Sequence, residues 1–154
     1  MAVPKFIHTA KGSWQGTSRL HLSFLPPEER ITESNSSLKI ETDERENFAT
    51  LTYYWYHEGQ RQQGTILLCG SSENKNLQMS WVDSWHQNFA IMNLEGSDTA
   101  AQYIQAKGNY SGGDEIWGWS IRLELQGDNL ILSMDNHSPN GESEWAVQAS
   151  YIRD

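Results

Sequence analysis

The chain has 154 residues, and its 11 Lys and Arg residues against 20 Asp and Glu residues give a formal net charge of −9. This length fits one domain with a substantial core. The acidic balance argues against nucleic-acid binding, because such surfaces concentrate Lys and Arg against phosphates. The sequence has no apolar run near the ~20 residues of a membrane span and no apolar signal region after Met1, so we expect a soluble cytoplasmic protein that does not bind membranes.

Turn-forming residues recur along the chain, from Pro26 and Pro27 to Gly141. They separate runs of about eight to twelve residues rich in Trp, Tyr, Thr, Ile and Leu, which is the spacing of an antiparallel meander. A short helix is expected only at 26–30. We therefore predict an all-β protein, in which residues 1–154 form one antiparallel domain of about ten strands closed into a sandwich or a barrel. The predicted strands are 13–24, 34–41, 48–57, 62–69, 77–86, 89–94, 100–108, 115–126, 130–136 and 143–153.

Alternation along these strands assigns an inner face to each. In the first strand Leu20 and Phe24 share the inner side with Trp14, and Arg19 and His21 lie opposite. The predicted inner faces collect most of the large aromatic side chains of the chain: Tyr53, Trp55, Trp81, Trp85, Trp117, Trp119 and Trp145.

The segment 77–86 places one carboxylate, Asp83, on the same face as Trp81 and Trp85, whereas Ser84 and His86 fall on the other face. An ionised carboxylate inside a barrel is costly unless a partner binds it. Two interpretations stay open and are equally weighted. Asp83 either accepts hydrogen bonds from a neighbouring Trp or Tyr, or it contacts a ligand.

Two short motifs lie at the ends of the predicted barrel. Gly12 and Trp14 open the first strand as Gly-x-Trp, and Arg153 ends the last. In this the sequence resembles the calycin superfamily of lipocalin-like and fatty-acid-binding-protein-like barrels. The resemblance implies that Trp14 lies at the closed end of the barrel and that Arg153 packs across its indole, as guanidinium groups do.

Within that superfamily the chain is similar to a bacterial family of unknown function with calycin-like barrels. The similarity is carried by the Gly-x-Trp opening, by acidic and glycine-containing hairpins, and by the segment 81–84 that follows the Gly70 turn. Members often have Tyr-Asp after the turn glycine, where this chain has Ser71 and Ser72. The resemblance implies that residues 1–154 form a single antiparallel up-and-down calycin-like barrel of about ten strands, and it implies no established activity.

The sequence contains few residue patterns that are typical of a catalytic site. Asp83, Ser84 and His86 are close in sequence, but strand alternation separates Asp83 from the other two, so they do not form a triad. The sequence contains no Gly-x-Ser-x-Gly elbow. His57 is the one candidate for a second inward titratable group beside Asp83. We expect no catalytic residues and regard an enzyme as a minor alternative.

The five histidines fall on separate predicted elements without metal-binding spacing, and Cys69 is the single cysteine. We therefore expect no metal site, and any cofactor is unknown. Haem is a minor alternative, because the resemblance includes small barrels that hold haem through one histidine, and His137 is predicted near a barrel rim.

Seven Trp and six Tyr are heavy aromatic loading for this length. Aromatic walls with a few polar groups are typical of a cavity for a small apolar or aromatic ligand, which is the function we predict. The alternative is a barrel filled by its own side chains that serves as an interaction scaffold. In the ligand model Asp83 orients a polar end, and His57 and Asn136 donate or accept hydrogen bonds near the mouth. The predicted ligand-binding residues are Tyr53, Trp55, His57, Trp81, Asp83, Trp85, Trp117, Trp119 and Asn136. The sequence leaves the ligand and the oligomeric state open.

Overall fold

A computed structural model describes residues 3–71, 76–87, 89–98 and 101–154. Within them the chain forms a short α-helix, α1 (Lys5–Ala10), one 3₁₀ turn (Pro27–Glu29) and ten strands. None of the helices in these residues has the length and apolarity needed to cross a membrane. The strands are β1 (Gly12–His21), β2 (Ile31–Thr42), β3 (Ala49–His57), β4 (Gln60–Ser71), β5 (Asn76–Asp83), β6 (Met92–Ser97), β7 (Tyr103–Gly112), β8 (Glu115–Gln126), β9 (Asn129–His137) and β10 (Ser143–Arg153).

Each strand pairs antiparallel with the next one in sequence, and β1 pairs with β10 to close the barrel. The predicted up-and-down barrel of ten strands is confirmed. Trp14 lies opposite Arg153 in β10 and Leu38 in β2, so the two ends of the chain meet in the sheet. Closure satisfies the backbone groups that an open sheet would leave at its edges.

Several predicted strand limits differ from the structure. The first strand ends at His21 and not at residue 24, because Leu22 and Leu25 enter a turn before the Pro26-Pro27 corner. Phe24 therefore lies outside the core and is 78% exposed. The predicted strand 89–94 begins at Met92, and the predicted strand 100–108 begins at Tyr103. Ser72 and Ala100 lie outside the described residues.

One end of the barrel is closed by α1, which the sequence analysis did not predict. Its side chains Phe6, Ile7 and Ala10 are fully buried. A helix of six residues is too short to show a helical period in the sequence, and a tertiary contact surface stabilises it. The helix acts as a plug because its apolar side faces the barrel core.

Trp14 and Arg153 attach this plug to the barrel. The Trp14 Nε1–H donates to the carbonyl of Ala10 at 2.9 Å, and the Arg153 guanidinium lies 4.4 Å from the centre of the Trp14 ring. Arg153 also donates to the carbonyls of Thr9 and Lys11. Both carbonyls lie at the C-terminal end of α1. The last carbonyls of a helix have no donor within the helix, so they accept hydrogen bonds from other groups. Gly12 has a φ of +122°, and a Cβ there would lie 3.2 Å from Arg153 Nη1, which explains the glycine of the Gly-x-Trp motif.

Side chains fill the central interior. The enclosed space between the sheet walls is about 10 Å³ and is lined by residues that include Tyr53, Trp55, Asp83 and Tyr151. That volume suits about one water molecule. It is far below the ~300 Å³ at which ligand pockets usually begin. This described cavity between the sheet walls therefore has no room for an organic ligand.

Candidate functional site

A cluster of six aromatic and imidazole rings lies at the end of the barrel opposite α1. We call it the mouth cluster, and its members are Trp55, His57, Trp81, Trp85, His86 and Trp119. Trp81 and Trp119 stack with ring centres 5.3 Å apart, and Trp55 meets Trp85 edge-on at 5.8 Å. The imidazole of His86 lies in the middle, between 4.8 and 5.9 Å from four indoles. Stacked and edge-on contacts of this kind hold each ring in a defined orientation relative to its neighbours.

The strand that carries Trp81 ends at Asp83, and the predicted strand 77–86 is wrong beyond that point. The Asp83 Oδ1 atom accepts the backbone N–H groups of Trp85 at 2.8 Å and His86 at 2.9 Å. This is the local turn that an Asp side chain stabilises by bonding the backbone two and three residues on. Because the turn breaks the strand alternation, His86 packs inward among the indoles and not on the outer face.

Asp83 itself is 3% exposed. Its Oδ2 atom accepts the hydroxyl of Tyr53 at 2.7 Å, and that hydroxyl accepts the Nε1–H of Trp81 at 2.9 Å. Burial, followed by the negative charge of Asp83, raises the pKa of Tyr53 well above its ordinary value. The expected burial and hydrogen bonding of Asp83 are thus found, and its partners are groups of the protein. Its carboxylate holds the loop that carries His86.

Two buried polar atoms of the mouth cluster have no hydrogen-bond partner among the described residues. They are Nε2 of His86 and Nε1 of Trp119. Buried polar groups are nearly always bonded, and an unpaired one costs about 1–3 kcal/mol. The two rings are neighbours, with centres 5.6 Å apart. The mouth cluster therefore contains two adjacent rings whose buried polar atoms are unsatisfied within the described residues.

The environment of His86 favours its neutral imidazole. Burial lowers its pKa below the ordinary value of 6.5, the charge of Asp83 opposes this shift, and His57 adds to it. A neutral imidazole can donate at one nitrogen and accept at the other. The His86 ring is therefore available as a hydrogen-bonding group and not as a fixed positive charge.

Two open depressions meet at His86 and Trp119. The first, which we call the mouth groove, has a volume of about 230 Å³. Its lining includes Trp85, His86, Trp119, Asn136, Glu144 and Trp145. The second has about 410 Å³ and is lined by His86, Gln87, Ala90, Tyr110, Ser111 and Trp119. Both depressions are lined by His86 and Trp119, the two side chains whose buried Nε2 and Nε1 atoms are unpartnered among the described residues.

The structure brings together some of the predicted ligand-binding residues and separates others. Trp85, Trp119 and Asn136 line the mouth groove, and Asn136 Oδ1 accepts the Tyr110 hydroxyl at 2.5 Å. Below the groove, three more line the water-sized cavity: Tyr53, Trp55 and Asp83. The last three lie elsewhere, with His57 and Trp81 packed within the mouth cluster and Trp117 stacked on Tyr110 outside it.

Trp145 does not point into the barrel as predicted. It is half-buried and stacks on His21 with ring centres 4.6 Å apart, while the Arg19 guanidinium lies 5.4 Å from its ring centre. Arg19 and His21 are on the face of β1 opposite the buried Leu20. A bulge between Trp145 and Val147 in β10 changes the alternation there, which is why the prediction from parity failed. Trp145 forms the outer rim of the mouth groove.

His86 is the residue that sequence reasoning missed. Parity along one long strand placed it outside, and the signal that could have found it was the Asp83-Ser84 pair. Asp followed by Ser is typical of a turn, and a turn after Trp81 would have ended the strand early.

The haem alternative rested on His137. Its Nδ1 lies 2.7 Å from the Ser143 hydroxyl and its Nε2 lies 2.9 Å from the Ser120 hydroxyl. Iron coordination would have to displace one of these hydroxyls. Within the described ranges no group of three or more His, Cys, Asp or Glu side chains is arranged to hold a metal ion.

Comparison with known proteins supports the architecture. No protein-family model matches the chain, and no curated protein sequence matches it. Among solved structures it is similar to the crystal structure of Rv2717c from M. tuberculosis, with a TM-score of 0.64 and 14% sequence identity. The alignment covers 99% of this chain and 98% of that one. At this identity the similarity shows a shared barrel fold and carries no function.

A neutral, buried His86 predicts a dependence of stability on pH. In the unfolded chain its ring gains a proton below about pH 6.5, whereas the folded protein keeps it neutral to a lower pH. The unfolded state then binds more protons, so the free energy of unfolding should fall as the pH drops below that value. Urea unfolding at a series of pH values should show a smaller fall in His86→Gln than in the wild type. An identical pH dependence in both proteins would contradict a neutral His86.

Proposed function

We propose that the protein binds a small aromatic molecule reversibly in the mouth groove and does not transform it. The observation that carries the proposal is the pair of unpartnered buried atoms, His86 Nε2 and Trp119 Nε1, in two side chains that line an aromatic depression. Polar atoms left open in an otherwise well-bonded protein are typical of a binding site without its ligand.

The size of the groove limits the ligand. An enclosed apolar cavity of ~150 Å³ holds benzene, and the mouth groove has about 230 Å³. One ring or two fused rings suit this volume. The site lies at the mouth and not in the barrel interior, where the ligand was first expected, because Trp55, Tyr53 and their neighbours fill that space.

The same proposal places the chain among soluble calycin-like barrels that bind small molecules. The Gly12-x-Trp14 opening and the packing of Arg153 on Trp14 support this assignment. In this proposal the ligand binds at the open end of the barrel, and α1 closes the opposite end.

A second candidate is a filled barrel that serves as an interaction scaffold. The water-sized interior cavity favours it, since a ligand-carrying barrel usually keeps a larger space. The two candidates differ in one respect that can be measured, which is saturable binding of a small molecule at Trp119.

Intrinsic tryptophan fluorescence can test the proposal with a panel of neutral aromatic compounds, aromatic acids, fatty acids and haem. We expect a saturable change for at least one aromatic compound and a matching rise in Tm, because a ligand that binds only the folded state stabilises it. Trp119→Phe should weaken that binding about five- to tenfold through the lost N–H donor. Trp117→Phe is the matched control, since Trp117 lies on the same strand but lines neither depression, and it should bind as the wild type does. If no compound saturates and none raises Tm, the scaffold candidate takes its place.

A further inference from the structure

The formal charge at the wall of the mouth groove is negative. Glu144 is the one formally charged side chain among the described residues that line the groove, and no Lys or Arg lines it. The second depression is lined by no charged side chain within the same described part of the chain. The nearest charge below the groove is the carboxylate of Asp83, which belongs to the cavity beneath His86. A bound anion in the groove would therefore meet the carboxylate of Glu144 and no Lys or Arg side chain among the described lining residues, which also include His21 and His86.

One guanidinium lies nearby. Arg19 is exposed and packs over the ring of Trp145 at 5.4 Å, but it is not among the residues that line the groove. The chain as a whole also carries a formal charge of −9. Placing a carboxylate beside Glu144 without a paired cation is unfavourable, because the ligand loses water and gains a like-charged neighbour.

The two unpartnered atoms define the polar group that fits. The Trp119 Nε1–H can only donate, so it requires an acceptor. The imidazole of His86 is neutral because burial lowers its pKa, and its Nε2 either donates or accepts. A carboxamide or lactam edge carries a carbonyl oxygen for Trp119 and an N–H for His86. A carboxylate carries acceptors alone, so it matches His86 only in the tautomer that donates at Nε2, whereas a carboxamide matches both tautomers.

We propose that the mouth groove selects uncharged planar aromatic molecules that carry a carboxamide or lactam group, and that it rejects carboxylates of the same size. The carbonyl of the ligand accepts from Trp119, its N–H bonds to His86 Nε2, and its ring lies on the indoles at the groove wall. This selectivity rests on the proposed function and names its ligand class.

Three probes with the same two-ring skeleton distinguish the contributions of ring shape, hydrogen bonding and charge to binding. They are naphthamide, naphthoate and naphthalene, titrated at neutral pH into the full chain and followed in NMR spectra of the indole N–H groups. We expect naphthamide to bind at least about tenfold more tightly than naphthoate. The Trp119 indole resonance should move most with naphthamide, because that probe accepts its N–H.

Two variants test which interaction causes the selectivity for the carboxamide. Trp119→Phe keeps a ring but removes the donor, so it should lower naphthamide affinity several-fold and leave naphthalene affinity nearly unchanged. Glu144→Gln removes an exposed carboxylate and should raise naphthoate affinity while leaving that of naphthamide unchanged. If naphthoate binds as tightly as naphthamide, the inference is overturned and the proposed binding function stands. If none of the three probes binds, and the wider fluorescence panel also fails, both are overturned.

Discussion

Replacing Trp14 by Ala should lower the free energy of unfolding by about 3–5 kcal/mol, the range found when a large buried aromatic ring is removed. The ring is 2% exposed, and its Nε1–H donates to the carbonyl of Ala10. The variant also deprives Arg153 of the surface on which its guanidinium lies. Because α1 is held to the barrel by these contacts, the loss should fall in the upper part of that range.

Urea unfolding followed by circular dichroism measures this effect, and Trp117→Ala is the matched control. Trp117 is half-buried and stacks on Tyr110 outside the core, so its removal should cost less than half as much. Equal midpoints for Trp14→Ala and the wild type would show that Trp14 does not attach the helix to the barrel.

Replacing Asp83 by Ala should cost a similar amount, about 3–5 kcal/mol, for a different reason. Three donors lose their acceptor: the hydroxyl of Tyr53 and the backbone N–H groups of Trp85 and His86. Each buried donor left unpaired costs about 1–3 kcal/mol. The turn that directs His86 inward also loses its stabilising side chain, so the variant should lose ligand binding together with stability.

Asp43 offers a matched control for this prediction. Its carboxylate also accepts backbone N–H groups, those of Arg45, Asn47 and Phe48, but it lies in an exposed loop. Water can replace those bonds after Asp43→Ala, so the loss of stability should be clearly smaller than for Asp83→Ala. The free energies of unfolding of the two variants, measured side by side, decide the matter. Equal losses of stability in the two variants would mean that the burial of Asp83 does not increase its contribution to the free energy of unfolding.

Much of the fold could be predicted because its signals are local. Period-two alternation and turn residues are properties of a few consecutive positions, and they suffice for ten strands and for the limits of Glu115–Gln126 and Ser143–Arg153. The helix α1 was missed for the converse reason. Six residues carry too little periodicity, and the contact of Phe6 with the barrel core is not local.

The candidate site was predicted in part. Parity assigned Trp85 and Trp119 to the inner faces of their strands, and both line the groove at the mouth. It could not separate Trp117 from Trp119, because alternation gives the face of a strand and not the depth along the barrel axis. It also placed His86 outside, since the strand ends in a turn at Asp83 and the alternation on which that placement depended does not continue.

The sequence by itself determined an antiparallel all-β domain of about ten strands and a buried carboxylate at Asp83, since these depend on spacing and on residue type. The resemblance carried by Gly12, Trp14 and Arg153 added the closure of the barrel and the packing of Arg153 on Trp14. Only the tertiary structure decided that the interior is filled, that α1 closes one end, and that His86 and Trp119 present unpartnered atoms at the other. The physical reason is that the volume left between packed rings, and the hydrogen bonds available to a buried atom, depend on residues far apart in the chain.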